Sequence, residues 1–98
     1  MDPKDVTVNE MVEERRKELR RLLAGALHHL VVEKADIDVI RRRKVDVFDP
    51  DAAIFIAKAD VEPGLSLKQV AFIVSSIESR GYTVKRIEHK GKRLLLLI

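Results

Sequence analysis

The chain closes on five consecutive aliphatic residues, Leu94, Leu95, Leu96, Leu97 and Ile98. A strand in a sheet with one wet face alternates apolar and polar positions, whereas a strand covered on both faces is apolar throughout. In this run neither parity is polar. It predicts an interior strand of a sheet, because an exposed edge strand carries charge or proline to block pairing with other chains. The remainder of the chain must then supply strands on both sides of the run and cover for its two faces.

Lys90 and Gly91 fit a two-residue turn of the primed kind, joining residues 82–89 to residues 92–98. In that register His89 faces Lys92, Ile87 faces Leu94 and Lys85 faces Leu96. The final strand then presents Leu94, Leu96 and Ile98 on one face and Leu95 and Leu97 on the other.

Upstream, Asp5 or Thr7 caps a long amphipathic helix over residues 7–32. Its apolar positions Val8, Met11, Val12, Leu19, Leu22, Leu23, Ala26, Leu27, Leu30 and Val31 recur at intervals of three and four. At 1.5 Å per residue it spans about 39 Å, against about 23 Å for a seven-residue strand, so its first turns overhang any sheet it packs on. Gly25 inside it costs about 1 kcal/mol relative to Ala and suits a close approach of another backbone. From residue 35 the spacing changes to two. Residues 43–48 are expected to be the first strand, residues 48–52 ("FDPDA") a turn and residues 53–59 the second strand, while residues 33–42 fit helix, strand or loop. Glu62, Pro63 and Gly64 break the chain. Ser66 then caps a second helix ending near Gly81, with Leu67, Val70, Ala71, Ile73, Val74 and Ile77 on its buried stripe and Phe72 on the opposite side.

The element order α-β-β-α-β-β gives an α+β two-layer sandwich. A right-handed crossover through the second helix, with the last strand inserted between the second and third, yields a four-stranded antiparallel sheet of spatial order 3-4-2-1. This is a permuted ferredoxin-like arrangement with two helices on one face. At 98 residues the chain suits a single domain, residues 1–98. The helices cover one face of the final strand and leave Leu95 and Leu97 on the other. An apolar patch of that kind implies a partner. The expectation is a homodimer, formed sheet on sheet or through the overhanging helix, with Leu95, Leu97 and Phe72 as interface residues. The alternative is that the long helix or residues 33–42 fold under the sheet.

Composition limits the chemistry. There is no cysteine, which excludes disulfides, thiolate nucleophiles and sulfur-ligated zinc. No apolar stretch reaches the roughly 18 residues of a membrane span, and the first nine residues are too polar and acidic for a secretory leader, so the expected location is the cytoplasm. Charged residues make up 36% while Asn9 and Gln69 are the only side-chain amides, a balance found both in thermostable natural proteins and in designed ones. His28 and His29 are adjacent on a helix and point about 100° apart, which does not suit one metal. Asp36 with Asp38, and Asp49 with Asp51, supply too few oxygen ligands for a hard cation. No nucleophile elbow, phosphate loop, dinucleotide fingerprint or zinc-protease motif is present, and Ser75, Ser76 and Ser79 have no accompanying base. Neither enzymatic activity nor a cofactor is expected.

Charge is unevenly placed. Residues 1–40 hold seven basic and nine acidic side chains, residues 41–44 add four basic ones, residues 45–65 have one against five, and residues 66–98 have seven against two. Arg41, Arg42, Arg43 and Lys44 form one cluster, and Lys85, Arg86, Lys90, Lys92 and Arg93 lie on one hairpin. A basic β-ribbon can pair its cations with nucleic-acid phosphates, so weak, phosphate-directed binding of DNA or RNA is the expected function, with Tyr82 the nearest stacking residue. The alternative is a purely structural or protein-interaction module whose cations are a solvated surface.

Residues 66–98, "SLKQVAFIVSSIESRGYTVKRIEHKGKRLLLLI", about a third of the chain, resemble the last helix and wing of winged-helix DNA-binding domains. The resemblance implies a recognition helix exposing Lys68, Gln69, Phe72, Ser75, Ser76 and Ser79, with Lys90 to Arg93 as the wing. Residues 53–59 depart from that family, because they have the pattern of a strand and no helix and turn precede Ser66.

Overall fold

The computed structural model describes residues 3–42 and 53–98, with side chains from residue 9 onward. Helix α1 is Pro3–His29. Its buried stripe is Val12, Leu19, Leu23, Ala26 and Leu27, at the spacing the sequence predicts, but Met11 is exposed. The helix stops three residues short of residue 32. Val31 takes a left-handed conformation (φ 59°), its N–H donates to the His28 carbonyl and the Val32 N–H donates to the Leu27 carbonyl. This is a Schellman closure, in which the helix's last carbonyls find donors and Val32 folds back toward Leu27. The glycine inside α1 does not mark a close approach: a Cβ at Gly25 would have no neighbour within 4 Å.

The sheet contains β1 (Lys34–Arg41), β2 (Phe55–Glu62), β3 (Arg86–Lys90) and β4 (Arg93–Leu97) in the order β1-β2-β4-β3, all antiparallel. The predicted order 3-4-2-1 is this order read from the other edge. The strand paired with β2 lies earlier than residues 43–48; that segment and the expected turn over residues 48–52 fall outside the described residues. Residues 34–41 form β1 because Ile37 and Val39 alternate with Asp36 and Asp38, one set toward the helices and the other toward solvent. The turn of the β3-β4 hairpin falls on Gly91 and Lys92, one residue later than expected. Ile87 therefore opposes Leu96, and His89 opposes Leu94. Gly91 (φ +54°) leads this turn, the position that a II′ turn reserves for glycine. Displacing the turn by one residue moves both strands together, so each side chain keeps its predicted face.

Helix α2 is Leu67–Glu78, with Ser66 and Gln69 forming a reciprocal capping box at its start. Val70, Ile73 and Ile77 join α1 and the helix-side residues of the sheet in one core. Leu67 and Ala71 point to solvent, because α2 buries a narrower stripe than its apolar content predicts. The winged-helix arrangement is not formed: the paired strands β1 and β2 precede α2, where that family has helices. Strand β4 is interior, hydrogen-bonded to β2 and β3, and Leu94, Leu96 and Ile98 are buried beneath the helices.

Candidate interaction face of the sheet

Both helices lie on one face of the sheet, and no described element lies on the other. Strand register places the uncovered side chains in three rows running from β1 to β3: Ile40, Ile56, Leu97, Arg86; then Asp38, Lys58, Leu95, Glu88; then Asp36, Asp60, Arg93, Lys90. The first two rows bring Ile40, Ile56, Leu95 and Leu97 together. Ile40 is 40% exposed, and the other three are half-buried by their neighbours alone. Beside Leu95 the face dips into a shallow depression of about 770 Å³ bordered by Lys58, Glu88, Lys90 and Arg93.

The charges around this aliphatic group are partly matched. Arg86 Nη2 lies 2.6 Å from Glu88, and Arg93 Nε lies 3.6 Å from Asp60. Lys92 Nζ donates to Glu62 at 2.7 Å, which holds that carboxyl below its usual pKa, chiefly through the hydrogen bond and then through the charge. Lys58 stands directly opposite Asp38 across the β1-β2 pair, an arrangement that favours sheet pairing. All of these groups are in water, where such pairs contribute little to stability.

Among the described residues, the predicted basic positions do not form one continuous surface. Lys85 and Arg86 lie at one end of β3, and Lys90, Lys92 and Arg93 lie around the turn at the other, about 13 Å away for four residues of strand. Lys85 faces the helix side, beside Arg15 and Arg80, whereas Arg86 faces the open side. Arg41 ends β1 and donates to Asn9 Oδ1 at 3.1 Å, and Arg42 follows it. Arg43 and Lys44 lie outside the described residues. Of the three residues expected at an interface, Leu95 and Leu97 share the open face, but Phe72 is in the helix layer. It is 38% exposed and stacked on His29, with ring centroids 5.0 Å apart and planes at 16°. Phe72 and the leucines therefore cannot belong to one contact.

Sequence reading missed Ile40, Ile56, Lys58, Asp36 and Asp60 as members of this face. Their signal was the parity of β1 and β2, which becomes legible only once β1 is placed at residues 34–41. On the helix side, Tyr82 donates to Glu18 Oε2 at 2.9 Å. Burial, and then this hydrogen bond, push the Tyr82 hydroxyl up to about 12. A groove of about 730 Å³ runs between α1 and α2 past Gly25 and Phe72.

No family model, curated protein or solved structure matches this chain.

Proposed function

We propose that this chain is a nonenzymatic homodimeric module whose interface is the open face of the sheet. The observation that carries this reading is the group Ile40, Ile56, Leu95 and Leu97, four aliphatic side chains on a face that no described element covers. Two such faces stack about 10 Å apart in a sandwich, leaving the helix layers outermost. Light scattering across protein concentration tests the proposal. The wild type is expected at twice the mass of one chain, and Leu95→Lys combined with Leu97→Lys is expected as a folded monomer. A monomeric wild type whose double variant unfolds contradicts it.

A second reading, weak phosphate-directed binding of nucleic acid, is favoured by Lys85 and Lys90, which have no ion-pair partner among the described residues. Such binding falls steeply with salt, whereas an apolar dimer persists in it. A dimer that persists in high salt, without measurable affinity for nucleic acid, leaves the first reading standing alone.

A further inference from the structure

The third row of the open face has a charge order that does not suit an isolated protomer. From β1 to β3 it runs Asp36, Asp60, Arg93, Lys90, two anions followed by two cations. Like charges directly opposite one another on adjacent strands destabilise a sheet, and this row contains two such pairs, Asp36 with Asp60 and Arg93 with Lys90. The protomer relieves them only at the centre, where Arg93 meets Asp60 at 3.6 Å with side chains 86% and 65% exposed. Asp36 and Lys90, at the two ends, have no ion-pair partner among the described residues.

One operation makes this order complementary to itself. A two-fold axis parallel to the strands and midway between β2 and β4 lays the row on its own reverse. Asp36 then meets Lys90 of the second copy, and Asp60 meets Arg93 of the second copy. An in-plane axis perpendicular to the strands instead stacks each strand on itself, and centred on the second row it sets Asp38, Lys58 and Glu88 each against its own copy. We infer that the occupant of the open face is a second copy of this chain, placed by the axis parallel to the strands so that each acidic β1 side meets the other's basic β3 side. The inference rests on the open-face reading above and adds the recognition pattern that selects the partner and its orientation.

The other rows are compatible with the same axis. Ile56 meets Leu97 of the second copy, the aliphatic stem of Lys58 meets Leu95, and Ile40 lies under the stem of Arg86. One kind of like-charge meeting results, Asp38 with Glu88 at both edges of the contact, and each already has a cation in its own sheet, Lys58 opposite the first and Arg86 beside the second. The usual rotation of about 30° between stacked sheets displaces the edge strands by about 4 Å, within the reach of Lys and Arg.

The test is a reciprocal charge exchange. One variant combines Asp36→Lys with Asp60→Lys, making the row entirely basic; the other combines Lys90→Asp with Arg93→Asp, making it entirely acidic. Far-UV circular dichroism checks that each is folded. Alone, each is expected to self-associate about 100-fold or more weakly than wild type, because like-charge contacts across an interface cost several kcal/mol. Mixed in equal amounts, they are expected to recover a species of dimer mass. If both variants dimerise like wild type, or the mixture recovers nothing, this arrangement is overturned. The face itself still stands in either case if Leu95→Lys with Leu97→Lys breaks the dimer. A wild type that is monomeric at every concentration overturns both.

Discussion

Val31 is a β-branched residue held at φ 59°, a region that L side chains occupy at a cost of about 1–2 kcal/mol and that glycine occupies freely. It is 79% exposed, so replacing it removes little packing. Val31→Gly is expected to stabilise the protein by about 1 kcal/mol, which in a domain of this size raises Tm by about 4–8 °C, measurable by thermal unfolding. Tyr82 offers a second test, because it is the only tyrosine and the chain has no tryptophan. Its hydroxyl is pushed up to about 12 from the ordinary 10, so the folded state favours the neutral phenol. That contribution to stability is fully present below pH 10 and is lost as pH rises through the folded value. Absorbance titration of the phenolate should place its midpoint well above 10, and Glu18→Gln should lower it by removing the neighbouring negative charge.

Strand β1 is a sheet edge, and an edge with free carbonyls invites pairing by other chains. Phe55 exchanges both backbone bonds with Ile98, so Ile56, Lys58 and their alternates face β1, and the carbonyl of Val39 points away from the sheet. Arg16 of α1 donates to that carbonyl at 3.1 Å and is steadied by Glu13 at 3.0 Å. Arg16→Ala is expected to lower stability by about 1 kcal/mol in urea unfolding, the usual net worth of such a bond. It should also raise aggregation on heating, as the edge loses its cover.

At this same scale, element types and order were legible because periodicity and punctuation agree: Ser66 with Gln69 announces α2, and the unbroken apolar run announces an interior β4. The end of α1 was not legible, because the apolar spacing of Leu27 and Leu30 continues through Val31 and Val32 while the closing conformation is one that valine disfavours. The position of β1 was hidden because the basic run beginning at Arg41 interrupts the alternation, and Val45 and Val47 beyond it continue the same parity as Ile37 and Val39. Of the site, Leu95 and Leu97 could be read directly, since they follow from a single register whose parity survived the one-residue shift of the turn. Their neighbours Ile40 and Ile56, and the row beginning at Asp36, depend on pairing between distant segments and needed the sheet itself.

For the whole molecule, the open face links the two functional readings. Lys90 and Arg93 serve the proposed dimer and also belong to the predicted phosphate-binding hairpin, so polyanion binding at those residues should compete with dimerisation. Lys85 and Arg80, on the helix side, remain outside the contact. The most direct test of the open-face dimer is the radius of gyration of the wild type by small-angle X-ray scattering. One protomer has a value of 14.2 Å. Face-to-face packing, with layers about 10 Å apart and protomer centres about 20 Å apart, raises it to about 17 Å. A value near 17 Å at dimer mass is the expected result. A value that stays near that of the single protomer, or one well above 20 Å from end-to-end association through α1, would contradict it.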